Sequence, residues 1–171
     1  MPNHLSLLGI FHTAISVIAL LTAFYALFRR GKINPSDRSG KLYIALTVIA
    51  CVSALPIMKT GHFTPGHYVA IIILILLPPG IYANRIFGRL SGYFQIFIMS
   101  TTLVLSCIPA IVETLTRLPM SGPIANSPNA PIVQNATNVL FVLYIAGVIY
   151  QMVKYRNSRK AIPTAEAQIR E

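Results

Sequence analysis

Residues 5–30 read LSLLGIFHTAISVIALLTAFYALFRR. The apolar part, 5–28, holds no Lys, Arg, Asp or Glu, and Arg29 and Arg30 follow it directly. Because an apolar α-helix needs about 20 residues to cross the hydrocarbon core of a bilayer, this stretch predicts a membrane-spanning helix. A secretory signal peptide has a basic segment before a shorter apolar run. The stretch has neither feature, so we expect an uncleaved membrane anchor.

Further apolar segments cover residues 42–58, 67–83, 93–116 and 132–153. Pro78, Pro79 and Pro109 lie within these segments and predict breaks or kinks. Only 11% of the 171 residues are charged and 54% are hydrophobic, whereas soluble domains carry roughly 25% charged residues. We therefore predict an all-α integral membrane protein, a bundle of about five transmembrane helices. The bundle is expected to be a single domain over residues 1–160, and residues 161–171 are expected to form a disordered cytoplasmic tail.

Basic residues are concentrated on alternate loops of this bundle. The net charge is +10, from 14 Lys and Arg against 4 Asp and Glu. The loop after the first span, the loop after the third span and the C-terminal tail hold most of the basic residues: Arg29, Arg30, Lys32, Arg38, Lys41, Arg85, Arg89, Lys154, Arg156, Arg159, Lys160 and Arg170. Only Lys59 and Arg117 fall on the other side. Because cytoplasmic loops carry an excess of Lys and Arg, we expect an outside N-terminus and a cytoplasmic C-terminus in a multi-pass protein of the bacterial inner membrane. The basic loops are expected to contact anionic lipid, and their pattern does not indicate a nucleic-acid partner.

Small and polar residues recur at helical spacing on two of the predicted spans. Helices in lipid pack through small residues, because the lipid tails are as apolar as leucine. The stripe on the first span consists of Gly9, His12, Ser16, Ala19, Ala23 and Ala26. The stripe on the fourth span consists of Gln95, Met99, Thr102, Ser106, Ala110, Glu113 and Arg117. We expect both stripes to face neighbouring helices, which places His12 in the interior of the bundle.

Ionisable residues in the outer third of the bundle form the candidate site. Such groups are costly within a membrane and mark functional sites by default. Imidazole and carboxylate suit zinc, iron or copper, so we predict His12, His62, His67 and Glu113 as candidate metal ligands. Two histidines on facing helices ligate a b-type haem, so His12, His67 and Glu113 are the candidate cofactor-binding residues. A His/Glu pair also suits a proton relay or a quinone head group, and the sequence leaves the ligand open.

Each candidate also has a structural interpretation. His62 fits a solvated loop residue, and His67 fits a helix-start residue that caps its helix. Glu113 and Arg117 are one turn apart and suit an interfacial ion pair. Residues 117–131 are rich in Pro, Ser, Asn and Gly, a composition that suits either a lid over the outer end or a flexible connector.

Several short motifs are distributed along the chain: His12, DRSGKLY at 37–43, GHF at 61–63 with GH at 66–67, and ETLTRLP at 113–119. With these motifs the chain resembles, over residues 10–155, a family of uncharacterised bacterial inner-membrane proteins, those with domain of unknown function 2306. Relatives often have His-Arg where this chain has Asp37-Arg38, so any family role of that histidine is lost or altered here. The family has no established activity. The resemblance therefore implies the architecture and the choice of site residues, but no reaction.

Three functions are consistent with the sequence. The first is a small polytopic inner-membrane protein that binds a metal or haem at its outer side, for redox chemistry or metal handling. The second is a non-catalytic accessory or assembly subunit of a larger membrane complex or homo-oligomer. The third is a small proton-coupled transporter, although such folds usually show inverted repeats and polar sites at the midplane, and this chain shows neither clearly.

Enzymatic chemistry of the soluble type is not indicated. The sequence has no nucleophile elbow, no phosphate-binding glycine loop and no paired acids. Cys51 and Cys107 lie inside apolar segments and are expected to serve as small packing residues. We predict no catalytic residue.

Overall fold

The computed structural model describes residues 6–57, 62–118 and 122–168, with side chains described as far as Arg159. The helices are, in chain order, α1 (Leu7–Arg30), α2 (Arg38–Ala54), α3 (Pro65–Ile81), α4 (Ala83–Ile86), α5 (Ser91–Arg117) and α6 (Pro131–Gln168). A single 3₁₀ turn, Gly88–Leu90, lies between α4 and α5. No strand occurs in these described ranges. Each predicted apolar segment overlaps one of the five longer helices, although residue 58 of the second segment lies outside the described residues. The all-helical fold class is confirmed.

Local hydrogen bonds define both ends of α1. The side chain of Ser6 accepts a hydrogen bond from the Gly9 N–H at 3.1 Å, which satisfies one of the unpaired donors of the first turn. Gly31 follows the last turn with φ +73°, a left-handed conformation that glycine adopts without a Cβ clash. Its N–H donates to the Leu27 carbonyl at 2.7 Å. Arg29 and Arg30 therefore belong to the last turn, where basic side chains interact favourably with the helix dipole.

α2 begins earlier than the apolar pattern predicts. The predicted segment starts at residue 42, whereas the helix starts at Arg38 and ends at Ala54. The loop from α1 passes very close to its first turn, because a Cβ on Gly40 would overlap the backbone of Asn34. α2 and α3 have 17 residues each, so each is about 26 Å long.

The prolines do not end the helices that contain them. α3 continues through Pro78 and Pro79 to Ile81, and the Tyr82 N–H donates to the Pro78 carbonyl at 2.9 Å. α5 continues through Pro109 to Arg117. A proline removes one helical hydrogen bond, and packing against neighbouring helices holds the remaining turns in place.

Four long helices form a closed ring around the core. α1 contacts α2, α2 contacts α3, α3 contacts α5, and α5 contacts α1. Among the helices of the described ranges, α6 packs against α5 alone. The core combines alanines of α1 with apolar side chains from the α1–α2 connection and from α2, α3 and α5: Ala19, Ala23, Ala26, Ile33, Tyr43, Cys51, Ala70, Ile73, Leu77, Met99, Leu103 and Cys107. The two predicted stripes are confirmed only in part. Ala19, Ala23 and Ala26 of the first and Gln95, Met99 and Thr102 of the second are buried. His12, expected in the interior, is half-buried, and Glu113 is exposed.

Among the described residues, three helical segments are long and apolar enough to cross a membrane: Leu7–Arg30, Gly88–Arg117 and Pro131–Arg159. α3 is apolar but shorter. The outward faces of the helices carry many exposed large apolar residues; Phe28 is 89% and Val142 is 66% exposed. Because soluble proteins rarely expose contiguous apolar patches of more than a few hundred Å², this surface favours a hydrocarbon environment.

Two segments, 161–171 and 117–131, are predicted to lack regular structure, and the structure agrees for only one of them. α6 is helical as far as Gln168, so residues 161–168 continue the helix where the sequence predicts a disordered tail. Residues 122–130 are irregular, but they fold back onto the end of α5. The Ala125 N–H donates to the Leu115 carbonyl at 2.8 Å, and Ala125 is buried. This loop therefore covers part of the α5 terminus and satisfies one of its free carbonyls.

Candidate functional site

His12 connects α1 to α2. Its Nδ1 lies 2.9 Å from the Ala50 carbonyl oxygen and 3.2 Å from the Ser53 Oγ. The Ser53 hydroxyl donates to the same carbonyl at 2.9 Å. A carbonyl oxygen only accepts hydrogen bonds, so the Nδ1 of His12 carries a proton and donates it to Ala50. The Nε2 of the neutral ring then keeps its lone pair, which is the form that binds a metal.

His67 belongs to a capping box at the start of α3. The Thr64 N–H donates to the Nδ1 of His67 at 3.0 Å, and the Thr64 Oγ1 lies 2.8 Å from the same nitrogen. The side chain is 4% exposed. Because Nδ1 accepts from an amide, the neutral ring carries its proton on Nε2, which then has no lone pair for a metal. That Nε2 is buried without a partner among the described residues. This geometry agrees with the interpretation of His67 as a residue that caps its helix.

Glu113 and His62 lie on the surface. Glu113 forms an ion pair with Arg117 on the next turn of α5, and its side chain is 54% exposed. His62 is exposed in the connection between α2 and α3. Exposed pairs of this kind contribute little free energy, about 0.3–0.5 kcal/mol.

The four predicted site residues are thus held by separate contacts. His12 bonds to α2, His67 bonds to Thr64, and Glu113 bonds within its own helix. In the ranges that the structure describes, no group of three or more His, Cys, Asp and Glu side chains is placed to hold a metal ion. The arrangement does not support the predicted metal or haem site.

A buried hydrogen bond crosses the ring between α2 and α5. The hydroxyls of Tyr43 and Thr102 lie 3.0 Å apart, and both residues are fully buried. The Thr102 hydroxyl donates to the Met99 carbonyl at 2.9 Å. Its single proton is therefore engaged, so Tyr43 is the donor in the bond to Thr102.

Other polar residues of α5 reach α3 and α6. The Gln95 amide donates to the Gly80 carbonyl of α3 at 3.4 Å. Between α5 and α6, the Gln151 Nε2 lies 3.3 Å from the Ser100 Oγ, which lies 3.4 Å from the Gln151 Oε1. The hydroxyls of Thr101 and Tyr144 lie 2.7 Å apart at the same interface. Interhelical hydrogen bonds of this kind hold membrane helices together.

The sequence analysis did not identify these α6 residues. Tyr144 and Gln151 are seven positions apart, so they lie on one face of the helix. That spacing was the available signal. It did not stand out, because Tyr144 and Gln151 are isolated polar positions within the mainly apolar stretch 139–153.

A group of cationic and aromatic side chains occupies the end of the bundle opposite to His67 and Glu113. We call it the Tyr155 cluster: Lys32, Tyr93, Lys154, Tyr155 and Arg159. The Lys32 Nζ lies 5.1 Å and the Arg159 Cζ lies 6.0 Å from the centre of the Tyr155 ring, within the range of a cation–π interaction. Tyr93 packs its ring against Tyr155 in a T-shaped arrangement at 5.1 Å. The Lys154 Nζ lies 3.2 Å from the position that a Cβ on Gly31 would take.

The cluster joins three segments of the chain. Lys32 follows α1, Tyr93 lies in the first turn of α5, and Tyr155 lies on α6. Gly92 permits the approach of α6, because a Cβ at this position would overlap the Tyr155 ring. The Arg159 Nη1 also donates to the Arg89 carbonyl at 3.2 Å. The basic segments predicted to share one side of the membrane therefore meet in the folded chain.

Comparisons with protein-family models, with curated proteins and with solved structures found no match for this chain. The resemblance to the family with domain of unknown function 2306 stays a prediction.

Proposed function

We propose that the chain is a multi-pass protein of the bacterial inner membrane with five spans, an outside N-terminus and a cytoplasmic C-terminus. Three helices of spanning length support this proposal, and the 17 residues of α2 and of α3 lie at the lower limit for a span. The contacts of Lys32 and Arg159 with one tyrosine ring bring basic segments together. Under the positive-inside rule this end is the cytoplasmic one.

Within that membrane, we propose that the protein is a non-catalytic accessory or assembly subunit of a larger complex. The observation that carries this proposal is the bond from His12 to the Ala50 carbonyl. This half-buried histidine is engaged in pairing two helices. The polar residues of α5 are used in the same way, towards α2, α3 and α6. Because these polar groups hold the protein's own helices together, they support a structural role.

The exposed face of α6 is the surface proposed to meet a partner. The most apolar part of this helix is 11% buried in the structure, against 17% for α1 and 50% for α5. Leu143 is 64% exposed, whereas Val148 on the same helix is 8% exposed. Leu21 on α1 is also 64% exposed and provides a position of equal exposure on another face.

Site-specific photocrosslinking in native membranes tests this proposal. A photoreactive residue at position 143 is expected to yield a protein adduct of one discrete mass, and the same residue at 148 or 21 is not. The adduct at 143 should survive His12→Ala. If positions 143 and 21 both react with lipid alone, the accessory-subunit proposal is wrong.

A second candidate, a metal or haem site, is favoured by one observation. The proton on the Nδ1 of His12 leaves its Nε2 in the form that binds a metal. His67 would have to leave the capping box to join it. An optical spectrum and elemental analysis of the purified, folded protein test this candidate. A stoichiometric metal or a haem band that disappears in His12→Ala would establish the second candidate over the first.

A further inference from the structure

We propose that the Tyr155 cluster binds the phosphate group of one anionic phospholipid. The proposal rests on the membrane orientation proposed above, but not on the accessory role. It assigns a defined binding site to the basic end of the bundle, whose positive charges otherwise serve only to set the orientation in the membrane.

The platform of this site is the Tyr155 ring. The ring packs between the backbone at Gly92 and the ring of Tyr93, so the start of α5 fixes its position. Lys32 and Arg159 approach the same ring from different segments of the chain. The hydrogen bond from Arg159 to the Arg89 carbonyl holds the guanidinium in place. The cationic groups are therefore presented by a folded arrangement, and not by free side chains.

The charge of the cluster is not balanced by the described part of the chain. Asp37 is the only carboxylate at this end among the side chains that the structure describes, and it forms an ion pair with Arg30. Lys32 and Arg159 share the Tyr155 ring, and Lys154 lies beside Gly31, the residue before Lys32, with its Nζ 5.9 Å from the Tyr150 ring centre. Like charges at one end of the bundle repel, and a bound anion reduces that repulsion. Phosphate matches both ammonium and guanidinium donors.

The surroundings favour a lipid over a free anion. Phe28, in the last turn of α1, is 89% exposed, and Tyr150, one turn before Lys154, is 62% exposed. A lipid phosphate at the cluster places its acyl chains beside these apolar side chains. A soluble phosphate makes no use of them. Juxtamembrane basic groups interact with the anionic lipids of the cytoplasmic leaflet.

The test measures lipid binding to the detergent-purified protein by native mass spectrometry. Phosphatidylglycerol is compared with phosphatidylcholine and with inorganic phosphate. The double variant Lys32→Gln/Arg159→Gln is compared with Lys41→Gln/Arg156→Gln, which removes the same charges from exposed positions at the same end. The charge-preserving pair Lys32→Arg/Arg159→Lys provides a rescue.

We expect one phosphatidylglycerol to bind selectively. At about 1 kcal/mol for each basic residue, the cluster variant should bind it roughly 30-fold more weakly. The control pair should lose less than about threefold, and the charge-preserving pair should retain binding. If the cluster variant does not fold, Lys32→Gln alone should still weaken binding relative to Lys41→Gln.

Three results would overturn the proposal. Equal loss in the two glutamine pairs would mean a diffuse charge effect. Equal binding of phosphatidylcholine would mean that the phosphate charge is not recognised. Displacement of phosphatidylglycerol by inorganic phosphate would mean an anion site without lipid preference. Reconstitution of the same protein into nanodiscs tests membrane embedding separately, so a failed lipid site is distinguishable from a failed membrane assignment.

Discussion

The Nδ1 of His12 on α1 donates a hydrogen bond to the carbonyl oxygen of Ala50 on α2, at 2.9 Å. A histidine within an apolar helix needs a polar partner, because an unpaired polar group in an apolar environment costs free energy. Here the partner is the backbone of the adjacent helix. The bond orients the imidazole and joins the two helices that begin the ring.

Replacing His12 by leucine is expected to destabilise the bundle modestly. Interhelical hydrogen bonds in a membrane protein contribute about 0.6 kcal/mol on average and up to about 1.7 kcal/mol. Thr13→Ala is the matched control, because the Thr13 hydroxyl bonds only to the Gly9 carbonyl of its own helix. Thermal unfolding in detergent should show a lower Tm for His12→Leu than for Thr13→Ala. Equal Tm values would show that the bond to Ala50 contributes nothing.

The helices could be predicted from the sequence because the relevant physics is local. An apolar run and a stripe of small residues identify a span and its inward face, and α1 is the clearest example. The start of α2 was missed because Arg38 and Lys41 interrupt the apolar pattern without interrupting the helix. Similarly, the helical continuation after residue 160 has a polar sequence that carries no apolar signal.

The candidate site depends on tertiary contacts, and these leave weaker signals. The acceptor of His12 is a backbone carbonyl 38 positions away, and a backbone atom has no signature in the sequence. His67 could be interpreted as a cap from its place at the start of an apolar segment, and the structure adds Thr64 as its partner in a capping box. The Tyr155 cluster brings Lys32 and Arg159 to one ring, which charge counting alone does not reveal.

The Tyr43–Thr102 bond should respond unequally to the removal of its two hydroxyls. Tyr43→Phe removes the donor and leaves Thr102 still bonded to the Met99 carbonyl. Thr102→Val leaves the Tyr43 hydroxyl buried without its acceptor, at a cost of about 1–3 kcal/mol. We expect Thr102→Val to lower the free energy of unfolding more than Tyr43→Phe does.

The double variant Tyr43→Phe/Thr102→Val, compared with the two single variants, measures the coupling free energy between the two side chains. It should be more stable than the sum of the single effects predicts, since neither hydroxyl of the pair is then left without the other. Tyr68→Phe, on the exposed face of α3, should leave stability unchanged. Strict additivity of the two single variants would argue against the bond.

The capping box at the start of α3 should control local opening. Thr64→Ala removes the side-chain oxygen next to the Nδ1 of His67, and loss of an N-cap costs about 1 kcal/mol. Amide hydrogen exchange should accelerate in the first turn of α3, and α1 should be unaffected. His67→Ala is expected to produce the same local pattern. Uniform acceleration over all helices would indicate general destabilisation instead.

Gly92 and Gly147 should respond in opposite directions to the same substitution. A Cβ on Gly92 would overlap the Tyr155 ring, whereas a Cβ on Gly147 meets no atom within 4 Å. Overpacking typically costs about 1–3 kcal/mol, so Gly92→Ala should separate α6 from the start of α5 and lower the Tm. Gly147→Ala relieves the entropic cost of glycine in a helix, about 0.5–1 kcal/mol, and should raise the Tm or leave it unchanged. Because the Tyr155 cluster needs the approach at Gly92, Gly92→Ala should also weaken phosphatidylglycerol binding while Gly147→Ala does not. A Gly92→Ala protein with unchanged Tm would mean that α6 does not pack on α5 through this tyrosine.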